Sequence, residues 1–294
     1  MCDDLTASAL RKSSMSAALD RRKFTALGVA GVTLAGCAGT VGGGAGNGGS
    51  DVAEKAVSIT TADGVCDAFY VHPVSGKYPA VIVWPDIAGL RDAFKVMARG
   101  LAAEGYAVLV VNQYYRSTPA PVMESFSEYR TPEGQEKIKP MRALLEPAAI
   151  MRDADAFVAF LDNQSEVDRA RGIGSSGYCM GGPFTVRTAL ARPNRVKAAA
   201  SFHGAGLVSD EPDSPHRLLG KTQASFLFAI ARNDDAKQPE QKDELRKAAD
   251  AAGCKAEIEV YPADHGWCVP DSPAYDPNAA DRAFQRMLAL FAGL

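Results

Sequence analysis

Three short stretches of this chain carry side chains that can do chemistry together. The first is Gly177-Tyr178-Cys179-Met180-Gly181-Gly182. It follows an apolar segment and opens a helical one, so it reads as a sharp strand-to-helix turn. A side chain at the apex of such a turn needs small neighbours two places before and two after, and Gly177 and Gly181 supply them. A thiol held there is a strong nucleophile once it is deprotonated. The second stretch is Asn233-Asp234-Asp235 and the third is Asp264-His265-Gly266. Nucleophile, acid and histidine in that chain order make a set for acyl transfer. The thiolate attacks a carbonyl, the imidazole moves the proton, and the acid orients the imidazole. Such a set needs neither a cofactor nor a metal ion.

Residues so far apart in sequence must be gathered by strands that end at one place. In parallel sheets the site lies beyond the carboxyl ends of the strands. Residues 80–84, 107–111, 196–202 and 225–231 are near-continuous apolar runs, as expected of strands buried on both faces. Residues 171–176 form a weaker strand leading into the Cys179 turn, and 256–261 form the last strand. Residues 56–60 and 65–71 alternate as an antiparallel pair joined at Ala62-Asp63-Gly64. Helical spacing marks 91–104, 148–163, 181–191, 239–252 and 277–293. Between Asn112 and about Pro140 lies a long stretch rich in aromatics, proline and charge, of the length expected of a functional loop. Strands alternating with helices predict an α/β fold, with a mostly parallel central sheet and helices on both faces.

The 294 residues are 47% hydrophobic and 23% charged, which is ordinary for a globular chain with a sizeable core. A net charge of −3 gives no support to a nucleic-acid partner. The cysteines are Cys2, Cys37, Cys66, Cys179, Cys254 and Cys268, and no C-x-x-C pair supports a zinc or thioredoxin-type site.

The first fifty residues do not read as fold. Arg21-Arg22 with Phe24 resembles the twin-arginine export signature, and the apolar run Phe24 to Gly36 is only 13 residues long. That is too short to span a bilayer comfortably and suits a signal peptide. Leu34-Ala35-Gly36-Cys37 resembles a lipobox, which makes Cys37 the candidate for lipidation and a membrane tether; ordinary cleavage near Ala38 is the alternative. Met15 is an alternative start. Thr40 to Ser50 holds six glycines in eleven residues and reads as a flexible linker. The expected division is a signal over 1–37, a linker over 38–51 and one domain over 52–294, with the mature protein periplasmic or anchored as a lipoprotein. Export would allow two of Cys66, Cys254 and Cys268 to pair.

The Gly-Tyr-Cys-Met-Gly-Gly elbow, the acid after the next-to-last strand and the His265-Gly266 pair resemble the dienelactone hydrolase family, within the α/β-hydrolase fold. The likeness runs over residues 56–294. It implies a Cys-Asp-His triad on Cys179, Asp234 and His265. Spacing from the strand, where Ala231 replaces a family glycine, favours Asp234; spacing back from Pro239 favours Asp235. It also implies an oxyanion hole from the backbone N–H groups of Met180 and Ile87. Asp86 stands where the family carries a Glu that modulates the thiol, although Asp86 also suits a turn cap. Arg116 resembles a substrate-carboxylate anchor. The family's second such arginine is replaced by Val269, which leaves Tyr115, Trp267 and their neighbours to shape a more apolar pocket. The expected function is hydrolysis of an ester, lactone or thioester of a small substrate, carboxylate-bearing or not. A lipid-tethered binding protein that keeps the fold without turnover is the alternative.

Overall fold

The computed structural model describes residues 51–294. The signal-like segment with Cys37 lies outside the described residues, as does the glycine-rich linker up to Ser50. Eight strands form one sheet: β1 (Val52–Thr61), β2 (Gly64–Pro73), β3 (Ala80–Trp84), β4 (Ala107–Val111), β5 (Ile173–Tyr178), β6 (Val196–Phe202), β7 (Ser225–Ala231) and β8 (Ala256–Tyr261). Their order is β1-β2-β4-β3-β5-β6-β7-β8. The β1–β2 and β2–β4 pairs are antiparallel, and every pair from β4 to β8 is parallel.

The runs in β3 and β4 are wholly apolar because both sheet faces are covered. Along β3, Ala80, Ile82 and Trp84 enter one core layer while Val81 and Val83 enter the other. The second layer is closed by α1 (Asp92–Ala103) and α8 (Pro277–Phe291), through Phe94, Leu101, Met287 and Phe291. The first is closed by α4 (Pro147–Asp162), α5 (Gly182–Ala191) and α7 (Gln241–Ala252), through Phe157, Leu161, Phe184 and Leu245. Two shorter helices, α2 (Phe126–Tyr129) and α3 (Pro132–Arg142), lie within the segment that the sequence suggests is irregular. Thr131 caps α3 by accepting from the Gly134 N–H at 3.0 Å, and Pro132 fits the first turn because no intrahelical N–H is needed there. Another short helix, α6 (Arg232–Lys237), follows β7 directly.

β3 is flanked by β4 on one side and β5 on the other, so the chain leaves it first in one direction and then in the other. Loops that diverge at such a point open a crevice at the strands' carboxyl ends. The loop after β3 and the turn after β5 border it.

Candidate active site

The turn after β5 is tight for an identifiable reason. Cys179 to Gly181 form a single 3₁₀ turn, and Cys179 has φ of 53°. A non-glycine residue in that region costs roughly 1–3 kcal/mol, which the surroundings must offset. A Cβ added at Gly177 would lie 2.1 Å from the Gly181 carbonyl oxygen. One added at Gly181 would lie 2.4 Å from the carbonyl oxygen of Trp84 and 2.6 Å from that of Pro85. The two glycines therefore let the turn close on itself and press against the loop after β3.

That loop carries Asp86 and Ile87. The carbonyl of Asp86 accepts from the Gln113 side-chain amide at 2.7 Å and from the Gly89 N–H at 3.0 Å. A trans peptide is planar, so fixing that carbonyl aims the Ile87 N–H the opposite way. The buried Tyr114 hydroxyl donates to the next carbonyl, that of Ile87, at 2.8 Å. Burial, with Asp86 and Cys179 adding, holds the Tyr114 phenol well above its ordinary value, so it stays a donor.

At the end of β7, Asp234 lies in the first turn of α6, and its Oδ2 is 2.6 Å from His265 Nδ1. The His265 N–H donates to Asn233 Oδ1 at 2.9 Å, tying the loop after β8 to the same turn. Asp235 turns away and accepts from Lys242 Nζ at 2.6 Å. Asp264 pairs with Arg232 at the surface. Of the two candidate acids, Asp234 is the one on the imidazole. With Nδ1 on that carboxylate, Nε2 is the ring nitrogen of His265 that Asp234 leaves open to another partner.

Several expected site residues are used differently. The sequence suggests that Asp86 modulates the thiol; the structure gives its carboxylate to Arg91, at 2.7 and 2.9 Å, and to the Ala88 N–H, at 2.9 Å. Asp86 thus caps its own turn and pairs with a buried arginine. Arg91 continues to Asp271 at 2.8 and 2.7 Å, which joins the loop after β3 to the loop that carries His265. Burial opposes the charge on Arg91, but its bonds to Asp271 and Asp86 outweigh it and hold the guanidinium as a cation. Arg116, expected to anchor a substrate carboxylate, is bound to two internal carboxylates. It makes a two-pronged bond to Asp153 at 2.9 and 2.8 Å, and two bonds to Asp63 at 3.2 and 2.6 Å. Tyr115 serves the same cluster, donating to Asp153 at 2.7 Å. Trp267 is fully buried, stacked on Tyr261 and edge-on to His203, so it packs behind the site and does not line an open pocket.

Arg91 and Gln113 hold the loop after β3, and sequence patterning misses both. Arg91 precedes a helix beside charged neighbours and reads as surface, and only the fold brings Asp271 to it across 180 residues. Cys66, Cys254 and Cys268, the candidates for a disulfide, are all thiols. Among the described residues no group of three or more His, Cys, Asp or Glu side chains is placed to hold a metal ion.

Residues 66–294 match the model of the dienelactone hydrolase family. A Synechocystis sp. protein named "Putative carboxymethylenebutenolidase" is 28% identical over 82% of this chain and 97% of its own length. A Salmonella typhi protein of the same name is 30% identical over 76% of this chain and 82% of its own. The crystal structure of a "Putative Dienelactone Hydrolase" from Klebsiella pneumoniae superposes with a TM-score of 0.73 at 26% identity, covering 83% of this chain and all of that one.

Proposed function

From the premise that this chain belongs to the dienelactone hydrolase family, we propose that it hydrolyses a small ester, lactone or thioester through Cys179, Asp234 and His265. The single observation that carries this reading is the 2.6 Å contact of Asp234 with His265 Nδ1, at strand ends beside the Cys179 turn. The Cys179 thiol gives its proton to His265, and the sulfur bonds to the substrate carbonyl carbon. The resulting oxyanion accepts from the N–H groups of Met180 and Ile87. Collapse breaks the carbon–oxygen bond, or the carbon–sulfur bond of a thioester, and His265 returns its proton to the leaving group. Water, deprotonated by His265, then attacks the thioester on Cys179 and releases the acid. Asp234 holds the imidazole tautomer and stabilises its cation throughout.

Arg116 and Arg91 are both committed to internal carboxylates, which favours an uncharged acyl group over a carboxylate-bearing one. The test is turnover of p-nitrophenyl acetate by residues 51–294, with acid quenching and mass spectrometry to find an acyl group on Cys179. Cys179→Ala and His265→Ala are expected to abolish turnover. Retained activity in both overturns the reading. Residues 1–37 are read as an export signal, and Cys37 as the lipidated residue that would tether the enzyme to a membrane.

A further inference from the structure

The backbone amide of Cys179 is claimed by a second histidine. Its N–H donates to His203 Nδ1 at 3.1 Å, and its carbonyl accepts from the Ala205 N–H at 3.2 Å. The segment just after β6 therefore holds both sides of the nucleophile's backbone. Cys179 and His203 are also the two non-glycine residues at positive φ among the described residues, at 53° and 41°. His203 is itself fixed: its N–H donates to the Ala229 carbonyl at 2.7 Å, its ring meets Trp267 edge-on at 5.1 Å, and it is buried. The ring centroid lies 4.7 Å from that of His265. An Nδ1 that accepts carries no proton, so the ring is the neutral Nε2–H tautomer.

We propose that His203 is a positioning residue for the acyl-transfer reaction, gripping the Cys179 backbone through Nδ1 and standing behind His265 as an uncharged ring. The proposal rests on the Cys179–Asp234–His265 reading. The two histidines differ in their partners. His265 has a carboxylate on Nδ1, whereas the buried Nε2 of His203 has no hydrogen-bond partner to support a cation. Burial, with the neighbouring His265 adding, holds His203 well below its ordinary value. A proton on His203 would remove the acceptor that Cys179 uses and set a second cation beside the imidazolium of the reaction. The two rings are thus set apart by their partners: a carboxylate on His265, and a backbone N–H on His203.

Two variants and one measurement on the native protein test it. His203→Asn keeps an acceptor oxygen near the Nδ1 position, whereas His203→Phe keeps the ring and loses the acceptor. For p-nitrophenyl acetate, His203→Phe is expected to lower kcat about 30-fold with KM within about twofold, in line with the ~10²-fold that a small displacement of reacting groups costs. His203→Asn is expected to recover kcat to within about threefold of the native enzyme. Native kcat in the phenylalanine variant, or equal losses in both, overturns the proposal. Nitrogen-15 NMR of the native protein, independent of how the variants fold, is expected to show the Nε2–H tautomer at His203; an Nδ1–H tautomer overturns it. Turnover that survives Cys179→Ala overturns the triad reading and this proposal together, whereas failure of the His203 arms alone leaves the triad standing.

Discussion

At the scale of single residues, the site depends on which atoms are already occupied. Asp234 and Asp235 are adjacent and chemically identical, yet one holds His265 and the other holds Lys242. Asp234→Asn keeps the shape but favours the wrong imidazole tautomer, so kcat is expected to fall by about 10²–10⁴-fold. Asp235→Asn removes an ion pair remote from the imidazole, and its kcat is expected to stay within about threefold. Steady-state kinetics of the two variants check this directly. Arg116 gives a second prediction. Its guanidinium is bound by Asp153 and Asp63. Arg116→Met is therefore expected to leave unchanged the ratio of kcat/KM for a carboxylate-bearing ester to that for its neutral counterpart. A ratio that falls tenfold would return Arg116 to the role of substrate anchor.

At the scale of elements, the loop after β3 is held by three side chains. Gln113 and Tyr114 reach it from the end of β4, and Arg91 reaches it from the start of α1. Because Arg91 also binds Asp271, one guanidinium joins the loop with Ile87 to the loop with His265. Removing one partner of a buried ion pair leaves the other charge uncompensated, at about 3–5 kcal/mol. Arg91→Met is expected to lose stability on that order in chemical denaturation, and to lose kcat in the fraction that remains folded. Burial pushes the Asp271 carboxyl up, but its bond and charge contact with Arg91 outweigh burial and leave it below the usual carboxylate range. A depressed carboxylate stabilises the fold above its unfolded pKa, and that contribution is lost as pH falls through the folded value. Asp271→Asn should therefore be less stable near neutrality, and its stability should fall less steeply below about pH 4. Parallel acid-unfolding curves would expose the opposite result.

At the scale of the whole molecule, acyl transfer is assigned to residues 52–294 and export to residues 1–37. In the full-length chain expressed in a bacterium with twin-arginine export, Cys37→Ser is expected to abolish incorporation of labelled fatty acid. Esterase activity of the released domain is expected to be unchanged. Label that persists in Cys37→Ser would remove Cys37 as the lipidated residue. Among the described residues, no helix is long and apolar enough to cross a membrane.

The sequence by itself determined the fold class and the members of the candidate triad down to a choice between two aspartates. Its signals were local: apolar runs for buried strands, and two glycines spaced around Cys179. Those glycines are legible because their reason is steric and lies within a few residues; a Cβ at either one strikes nearby backbone. The helices α2 and α3 were less legible, because their apolar positions are few and α3 carries a proline, Pro140, inside it. What only the tertiary structure decided was how each charge is satisfied. Asp86 finds Arg91, Arg91 finds Asp271, Arg116 finds Asp63 and Asp153, and Cys179 finds His203. Most of these partners are 24 to 180 residues apart in the chain. No local pattern encodes such meetings, because hydrogen-bond geometry is set by how strands and loops are packed and not by spacing along the chain.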